Sequence, residues 1–476
     1  MNLPILKKPR AWLVVFLFLA LVWPARLTVA QEEVPEGPFY IVQEGDTLFD
    51  IAQRFGVNWL DLANVNDLGD ASQLDVGQAL VIPGLEGVQG VLTSEQVFFG
   101  ENLRSLSRRY DIPRDDLARL NRLTSSQELY AGINLIIPAE DADTRATRRV
   151  SLASGESLLE LAVIHDANPW SLVNHNTLGG TWAGLPGDVL HLPAGDADDT
   201  GPGALPGEIA SVEVDALPLV QGKTTVIRLQ GSEGLVIGGE LIDHELHFFE
   251  DQPGSYVALQ GVHALIEPGF YPLTLQGTTP SGAPFSFSQR VYVTEGDYAF
   301  ESLVVPPETI DPGITQPEDE LWYSLPVEFT PERMWQGSLE RPVTSATGEP
   351  CYSSYFGSRR SYNGSPYNYF HTGLDFCYNY NVAVNEILAP ADGVVVYTGE
   401  LTVRGNATMI DHGWGVYTGY MHQAEIFVEQ GERVQAGQMI GAVGKTGRVS
   451  GPHLHLEVWV GGVQVDPLDW LEQAYP

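Results

Sequence analysis

Apolar and polar positions repeat three times along the first part of the chain, with a step of 55 residues. In the first copy, a short apolar run at residues 40–42 is followed by a polar glycine turn, by apolar residues at helical spacing and by a closing apolar run at residues 80–82. Such runs predict short strands, and the spacing between them predicts helices. We therefore expect three strand-helix-helix-strand modules, at residues 38–84, 91–139 and 148–194.

The three modules share a glycine turn and an asparagine that keep the 55-residue step. The turns and asparagines are Gly45-Asp46-Thr47 with Asn66, Gly100-Glu101-Asn102 with Asn121, and Gly155-Glu156-Ser157 with Asn176. This pattern resembles the lysin motif (LysM), a small module that binds N-acetylglucosamine-containing glycans, most often peptidoglycan. The first copy follows the family closely, whereas the other two depart from its Gly-Asp-Thr turn. The resemblance implies peptidoglycan as a partner, and a role as a spacer is the alternative, above all for the second and third copies.

The pattern changes after a linker rich in Asp, Gly and Pro. Residues 207–296 contain short alternating runs between Gly and Pro turns, which predict an all-β, immunoglobulin-like sandwich that acts as a spacer. Residues 297–332 are rich in Pro and acidic residues, so we expect a linker that is extended or partly packed on its neighbours. Residues 333–476, rich in Gly and β-branched residues, are expected to form a final β-rich domain. The chain is thus predicted to be multidomain.

Charge excludes one class of partner. The chain of 476 residues has 25 Lys plus Arg against 61 Asp plus Glu, a net charge of −36. This excess of acidic groups repels phosphates and anionic lipids, so nucleic-acid binding is not expected.

The first 30 residues have the order of a secretory signal. Basic residues precede an apolar run at residues 11–23, and Thr28-Val29-Ala30 follows it. Because the run is shorter than the ~20 residues of a spanning helix, we expect residues 1–30 to be a cleaved signal peptide and no stable transmembrane span. An uncleaved anchor is the alternative. With a cleaved signal we expect a secreted protein, and the LysM resemblance implies that it is associated with the cell wall.

Two cysteines are present in the whole chain, Cys351 and Cys377. An exported protein reaches an oxidising compartment, where a cysteine pair of this kind forms a disulfide. Two buried free cysteines are the alternative.

Histidines concentrate in the last domain, where five of the eleven fall between residues 371 and 455. His371 and Asp375 are four residues apart, whereas His453 and His455 are two apart and would face the same side of a strand. Imidazole nitrogens and a carboxylate oxygen suit zinc, and three protein ligands that leave one position open are typical of catalytic zinc. Either short pattern alone is a weak signal.

Further motifs surround these residues. They are Phe356-Gly357-Ser358-Arg359, Asp411-His412-Gly413, Tyr420-Met421-His422, the glycine-rich run 437–447 and Gly451-Pro452-His453-Leu454-His455-Leu456-Glu457. Together they resemble the lysostaphin-type zinc metalloendopeptidases over about residues 356–467.

The resemblance implies roles for Asp375 and for the histidines of this domain. His371, Asp375 and His455 would hold Zn²⁺, and His422 and His453 would flank the catalytic water. Either of these two imidazoles can exchange a proton with the water, and both assignments stay open. His412 has no role in the family and is expected to be structural.

The resemblance also implies a function. We expect an exported zinc-dependent peptidoglycan endopeptidase that hydrolyses peptide bonds of the cell-wall stem or cross-bridge and is targeted by its LysM repeats. The alternatives are a non-catalytic wall-binding regulator of another hydrolase and a zinc peptidase that acts on proteins. A phosphate-binding loop is excluded because Met439 stands five residues before Gly444, where that motif requires glycine. A zinc protease of the helical His-Glu-x-x-His type is excluded because no such string occurs.

Overall fold

The computed structural model describes residues 38–69, 74–85, 90–110, 112–138, 147–193, 199–343, 350–382 and 385–476. The chain divides into two compact units, Met1–Val91 and Leu92–Pro476. The expected signal peptide lies outside the described residues. Within the described ranges, no helix is both long and apolar enough to span a membrane.

The first copy of the repeat has two short helices between two antiparallel strands. Its elements are β1 (Pro38–Ile41), α1 (Leu48–Arg54), α2 (Trp59–Val65) and β2 (Ala79–Val81). Helix α1 begins after Thr47, whose hydroxyl accepts a hydrogen bond from the backbone N–H of Asp50 at 3.1 Å. One face of α1 is buried, and it carries Leu48, Ile51 and Ala52.

The second and third copies have the same order of elements. The second contains β3 (Gly90–Gln96), α3 (Leu103–Arg109), α4 (Arg114–Leu120) and β4 (Asn134–Pro138). The third contains β5 (Thr147–Ser151), α5 (Leu158–Ile164), α6 (Pro169–His175) and β6 (Val189–Pro193). The opening and closing strands pair antiparallel in each.

One asparagine in each copy ties the second helix to the closing strand. The Asn66 side chain donates to the carbonyl oxygens of Leu62 and Val81 and accepts from the Val81 N–H, at 2.7–2.8 Å. Asn121 and Asn176 make the equivalent bonds in their own copies. These bonds explain why asparagine keeps the 55-residue step.

The glycine turn is open in the first and third copies but covered in the second. A Cβ atom added at Gly45 or Gly155 would meet nothing within 4 Å, whereas one at Gly100 would collide with the side chain of Pro202. The Ala204 N–H also donates to the Gly100 carbonyl at 2.9 Å. The linker after the third copy therefore packs on this turn of the second copy.

Residues 209–294 form two sheets around one core. The strands are β7 (Ile209–Val214), β8 (Leu219–Val220), β9 (Thr224–Gly231), β10 (Val236–Leu241), β11 (His244–His247), β12 (Phe249–Gln252), β13 (Ser255–Gly261), β14 (Gly269–Thr278) and β15 (Pro284–Thr294). One sheet has the order β11-β10-β14-β15-β8 and the other β12-β13-β9-β7. Leu229 of the second sheet and Leu275 of the first are fully buried in the same apolar cluster.

The segment expected to be a linker contains regular elements, β16 (Phe300–Leu303) and α7 (Pro312–Tyr323). Residues Pro312–Tyr323 are thus helical and not extended, whereas their buried side chains agree with the alternative of packing on neighbouring parts of the chain. Asp311 caps α7 by accepting a hydrogen bond from the Gly313 N–H at 2.9 Å, and Pro312 occupies the first helical position, where no N–H is needed. Helix α7 buries Glu318 and Trp322, four residues apart on one face.

The final domain is built on a ten-stranded sheet, as its β-rich pattern predicts. Its elements are β17 (Tyr352–Ser354), β18 (Arg359–Tyr362), β19 (Tyr369–Phe370), β20 (Leu374–Cys377), β21 (Glu386–Leu388), β22 (Gly393–Leu401), β23 (Gly405–Asp411), β24 (Val416–Ile426), β25 (Arg433–Val434), β26 (Met439–Val443), β27 (His453–Val460), β28 (Val463–Val465) and α8 (Pro467–Glu472). The main path of the sheet is β17-β20-β27-β24-β23-β22-β25, while β18 and β19 pair with β16 instead. Leu374, Leu454 and Leu456 face the main apolar core.

The structure contains the disulfide that the cysteine pair predicts. It joins Cys351, just before β17, to Cys377 at the end of β20, across a sequence separation of 26 residues. The bond therefore holds two neighbouring strands of the sheet together where β20 ends.

We predict that the purified, non-reduced protein shows no free thiol when it is denatured. After reduction, two thiols per chain should react, and the free energy of unfolding should fall by roughly 3 kcal/mol because the open chain gains conformational entropy. Thiol titration and denaturant unfolding measure the two effects. Two reactive thiols per chain without reduction would contradict the prediction.

Candidate metal centre

Strands β20 and β27 bring the candidate ligands together. They pair antiparallel, with Asp375 directly opposite His455. His371 lies three residues before β20 and reaches the same point, where it is almost completely buried at 1% exposure. His453 and His455 share one face of β27, as their spacing predicts.

The ligand atoms of His371, Asp375 and His455 all lie within 4.8 Å of one another. Oδ1 of Asp375 lies 3.0 Å from Nε2 of His371 and 2.8 Å from Nδ1 of His455, and the two nitrogens are 3.0 Å apart. Ligand atoms 2.0–2.1 Å from a tetrahedral zinc ion lie roughly 3.3 Å from one another. The chemistry and spacing of this donor set therefore fit a zinc-sized ion. Among the described residues, this is the group of three that could hold a metal.

The outer nitrogen of each ligand ring has a partner of its own. Nδ1 of His371 lies 2.9 Å from the carbonyl oxygen of Tyr355, which can only accept, so Nδ1 carries the proton and Nε2 faces the cluster. Nε2 of His455 lies 3.5 Å from Oε1 of Glu457 and 3.4 Å from the Thr372 hydroxyl. Contacts of this kind fix the tautomer and the orientation of metal-binding imidazoles.

His422 and His453 stand beside the cluster with their ring centroids 4.9 Å apart. Nδ1 of His422 donates to the Thr446 carbonyl at 2.9 Å, and Nδ1 of His453 donates to the Gly451 carbonyl at the same distance. Nε2 of His453 lies 3.7 Å from Oδ1 of Asp375. In both rings Nδ1 carries the proton, so Nε2 is the atom able to accept one.

An unusual backbone conformation directs His422. Its φ angle is +64°, in the left-handed region that non-glycine residues rarely adopt. The register between β24 and its partner shifts just after it, between Gln423 and Glu425, which marks an irregularity of the strand. The backbone N–H of His422 is held by the Arg404 carbonyl at 2.9 Å.

Burial and neighbouring charges set the protonation of the site. Burial disfavours an ionised Asp375, but His371 and His455 hold its pKa well below the usual range. Burial, together with His455 and His453, lowers the pKa of His422 to about 3, so this imidazole is neutral near pH 7. Burial also lowers the pKa of His455, but Asp375 and Glu457 outweigh it and raise the value to about 9. The site therefore combines an ionised carboxylate, that of Asp375, with imidazoles that differ in basicity.

Four further histidines stand apart from the cluster. His412 is completely buried, with one ring nitrogen 2.7 Å from the Asp392 carbonyl and the other 2.8 Å from the Thr418 hydroxyl, so its contacts are those of a structural residue. In the two-sheet domain, His247 stacks on Phe329, His263 contacts Phe370, and His244 lies on β11.

Sequence reasoning gave no role to Glu457, which is 1% exposed and lies behind His455. The signal was available, because the alternation that places His453 and His455 on one face of β27 also places Glu457 there. Burial disfavours its ionisation, but His455 and Arg404 lower its pKa to about 2.

Comparisons with known proteins identify families that parts of the chain match. Residues 369–467 match the model of Peptidase family M23, and residues 40–83 and 96–138 match the LysM domain. The peptidoglycan DD-endopeptidase ShyA of Vibrio cholerae is 40% identical over 116 residues, which are 24% of this chain and 26% of ShyA. The DD-carboxypeptidase/endopeptidase Mpg of Neisseria meningitidis is 43% identical over 98 residues, 21% of this chain and 22% of Mpg.

The chain thus spans about a quarter of the length of these curated relatives. Among solved structures, the catalytic domain of the antimicrobial peptidase lysostaphin from Staphylococcus simulans is 27% identical, with a TM-score of 0.23, and the match covers 26% of this chain and 93% of that one. On the family matches, the chain carries a Peptidase family M23 domain of the lysostaphin type in its C-terminal part and LysM domains in its N-terminal part.

Proposed function

We propose that this protein is an exported zinc endopeptidase that hydrolyses peptide bonds of peptidoglycan and is held at the wall by its LysM modules. The observation that supports this most directly is the convergence of His371, Asp375 and His455, whose ligand atoms lie within 4.8 Å of one another. The named activities of ShyA and Mpg favour a bond between D-amino acids in the cross-linked stem over a bond in a glycine bridge. A complete ligand set argues against a regulator without catalysis.

In this proposal His371, Asp375 and His455 hold the zinc ion. Zinc there would lower the pKa of a bound water toward ~7 and polarise the scissile carbonyl. His422 is neutral because it is buried, and its Nε2 faces the site, so it can accept the proton that the attacking water loses. His453, whose side chain is 17% exposed, stands next to it, and once Nε2 of its ring is protonated it can give that proton to the leaving amine.

The N-terminal modules supply attachment. The third copy has the same strands, helices and asparagine bonds as the two copies that match LysM, and we assign it to the same class. The two-sheet domain after it serves as an immunoglobulin-like spacer. The linker covers the glycine turn of the second copy. Glycan contacts through a glycine turn are therefore expected in the first and third copies, where the turn is open. Several weak sites on one polymer gain by effective concentration.

Purified wall sacculi provide the test of the proposed reaction. The full chain should convert cross-linked muropeptides into monomers that carry a new free carboxyl and a new free amine, and a zinc chelator should stop the reaction. Mass spectrometry of the soluble products identifies the bond. Products cut between sugars, or an unchanged wall with the zinc-loaded protein, would contradict the proposal.

We predict two classes of variant within the site. His371→Ala, Asp375→Ala and His455→Ala should lose both the bound zinc and the activity, because each removes one of three ligands. His422→Ala and His453→Ala should keep about one zinc per chain and lose roughly 10²- to 10⁴-fold in kcat, the usual contribution of general acid-base catalysis. Elemental analysis and kinetics measure the two properties.

His244→Ala, on strand β11 outside the peptidase domain, is the control and should match the unsubstituted protein in both measurements. If His453→Ala lost zinc while His455→Ala retained it, the roles within this pair would be reversed.

The first compact unit allows a test of targeting. A chain that begins at Leu92 keeps the second unit whole, so it should cut a soluble cross-linked peptide as fast as the full chain does. On insoluble walls it should bind less and react more slowly at low enzyme concentration, and the difference should shrink as the enzyme becomes abundant. Because the net charge is −36, this binding should persist in high salt. Equal wall binding by both chains in a sedimentation assay would assign targeting to the second unit.

A further inference from the structure

Helix α7 lies before the peptidase domain in sequence but contacts the inner side of its site. Trp322, near the end of the helix, is completely buried, and its indole N–H donates to Oε2 of Glu457 at 2.9 Å. Glu457 stands behind the proposed zinc ligand His455, with Oε1 3.5 Å from Nε2 of that ring. Trp322 therefore contacts the residue that stands directly behind a proposed metal ligand.

Two indoles and a side-chain amide, all neutral, donate to the Glu457 carboxylate. Trp322 and Trp459 both donate to Oε2 at 2.9 Å, and the side-chain amide of Gln464 donates to Oε1 at 2.9 Å. Trp459 and Gln464 belong to the same sheet as His455, whereas Trp322 comes from the segment that precedes the domain. The orientation of the carboxylate thus depends partly on α7.

The same helix contacts the loop that supports His422. Glu318 accepts hydrogen bonds from the backbone N–H groups of Val403 and Arg404 at 2.8 and 2.9 Å, and from the Arg404 guanidinium at 3.0 Å. The carbonyl of Arg404 in turn accepts the His422 N–H at 2.9 Å. Helix α7 is therefore connected to two residues of the peptidase domain, to the proposed ligand His455 through Glu457 and to the proposed proton acceptor His422 through Arg404.

We propose that α7 is a positioning element of the metal centre and that Trp322, acting through Glu457, orients His455 for metal binding. The inference rests on the proposed metal site and deepens it. With its Nε2 directed at a fixed carboxylate, the His455 ring presents Nδ1 to the cluster. Removing the indole N–H frees one side of the carboxylate and leaves this ring less firmly oriented. Loss of such an outer contact typically weakens metal affinity by about 10- to 100-fold.

The test uses the full-length protein and a competition titration of Zn²⁺ against a chromophoric chelator. Trp322→Phe keeps the ring in the core but removes the donor, so the zinc Kd should rise by about 10- to 100-fold. Activity lost at limiting free zinc should return when zinc is raised, with KM for a soluble cross-linked peptide unchanged. A merely structural tryptophan would give neither the zinc dependence nor the recovery.

Trp470→Phe is the matched control. Trp470 is also completely buried in this domain, but its indole N–H donates to the Thr224 hydroxyl at 2.9 Å, away from Glu457. Its loss should leave the zinc Kd unchanged. An equal rise in Kd for both tryptophan variants would overturn the proposal, because the effect would then come from general loosening of the core.

A double-mutant cycle tests whether Glu457 is the intermediary. If Trp322 acts only through Glu457, the Trp322→Phe/Glu457→Gln protein should bind zinc no more weakly than Glu457→Gln alone. Fully additive losses would overturn this route. Should Trp322→Phe fail to fold, Glu457→Gln decides the matter, since an unchanged zinc Kd in that variant also overturns the proposal. An unsubstituted protein that binds no zinc would instead refute the metal site itself.

Discussion

The antiparallel pairing of β20 with β27 is the constraint on which the proposed metal centre depends. It sets Asp375 opposite His455, and their ligand atoms lie 2.8 Å apart. Because side chains alternate along a strand, a slip of one residue would turn His455 toward the core and bring a leucine to the metal face. Leu454 and Leu456, on the opposite face of β27, are fully buried, so such a slip would also expose apolar surface. Hydrophobic burial thus fixes the register that the polar site requires.

The same pairing concentrates negative charge in a buried place. Asp375 and Glu457 lie on either side of His455, and their attraction raises the pKa of that ring to about 9 against the effect of burial. Ionised carboxylates away from water are costly unless a positive charge compensates them. Besides Arg404, either a protonated imidazole or a divalent cation can supply that charge, and a cation must displace the proton because metal ligands are deprotonated. In the proposed metal site, zinc binding and proton release at His455 are therefore linked.

Repeats and short residue spacings could be read from the sequence, whereas an unusual backbone conformation and the packing of one segment on another domain could not. The 55-residue step predicted the modules, and the asparagine bonds of Asn66 and its equivalents give it a physical cause. The two-residue spacing of His453 and His455 predicted their common face. The left-handed backbone of His422, in contrast, depends on a strand irregularity that no residue type predicts. Helix α7 was not predicted because prolines and acidic residues are typical of extended linkers. In the structure, Pro312 starts the helix and Glu318 is buried, where it accepts hydrogen bonds from Val403 and Arg404.

The four imidazoles of the centre differ in how their outer nitrogens are held. His371, His422 and His453 each donate to a main-chain carbonyl, from Tyr355, Thr446 and Gly451 respectively. A carbonyl acceptor persists whatever side chain its residue carries, so these three orientations depend on the path of the backbone. His455 instead faces side chains, chiefly Glu457, whose own position depends on donors from two parts of the chain. His455 is therefore the member of the site whose geometry responds most to distant residues.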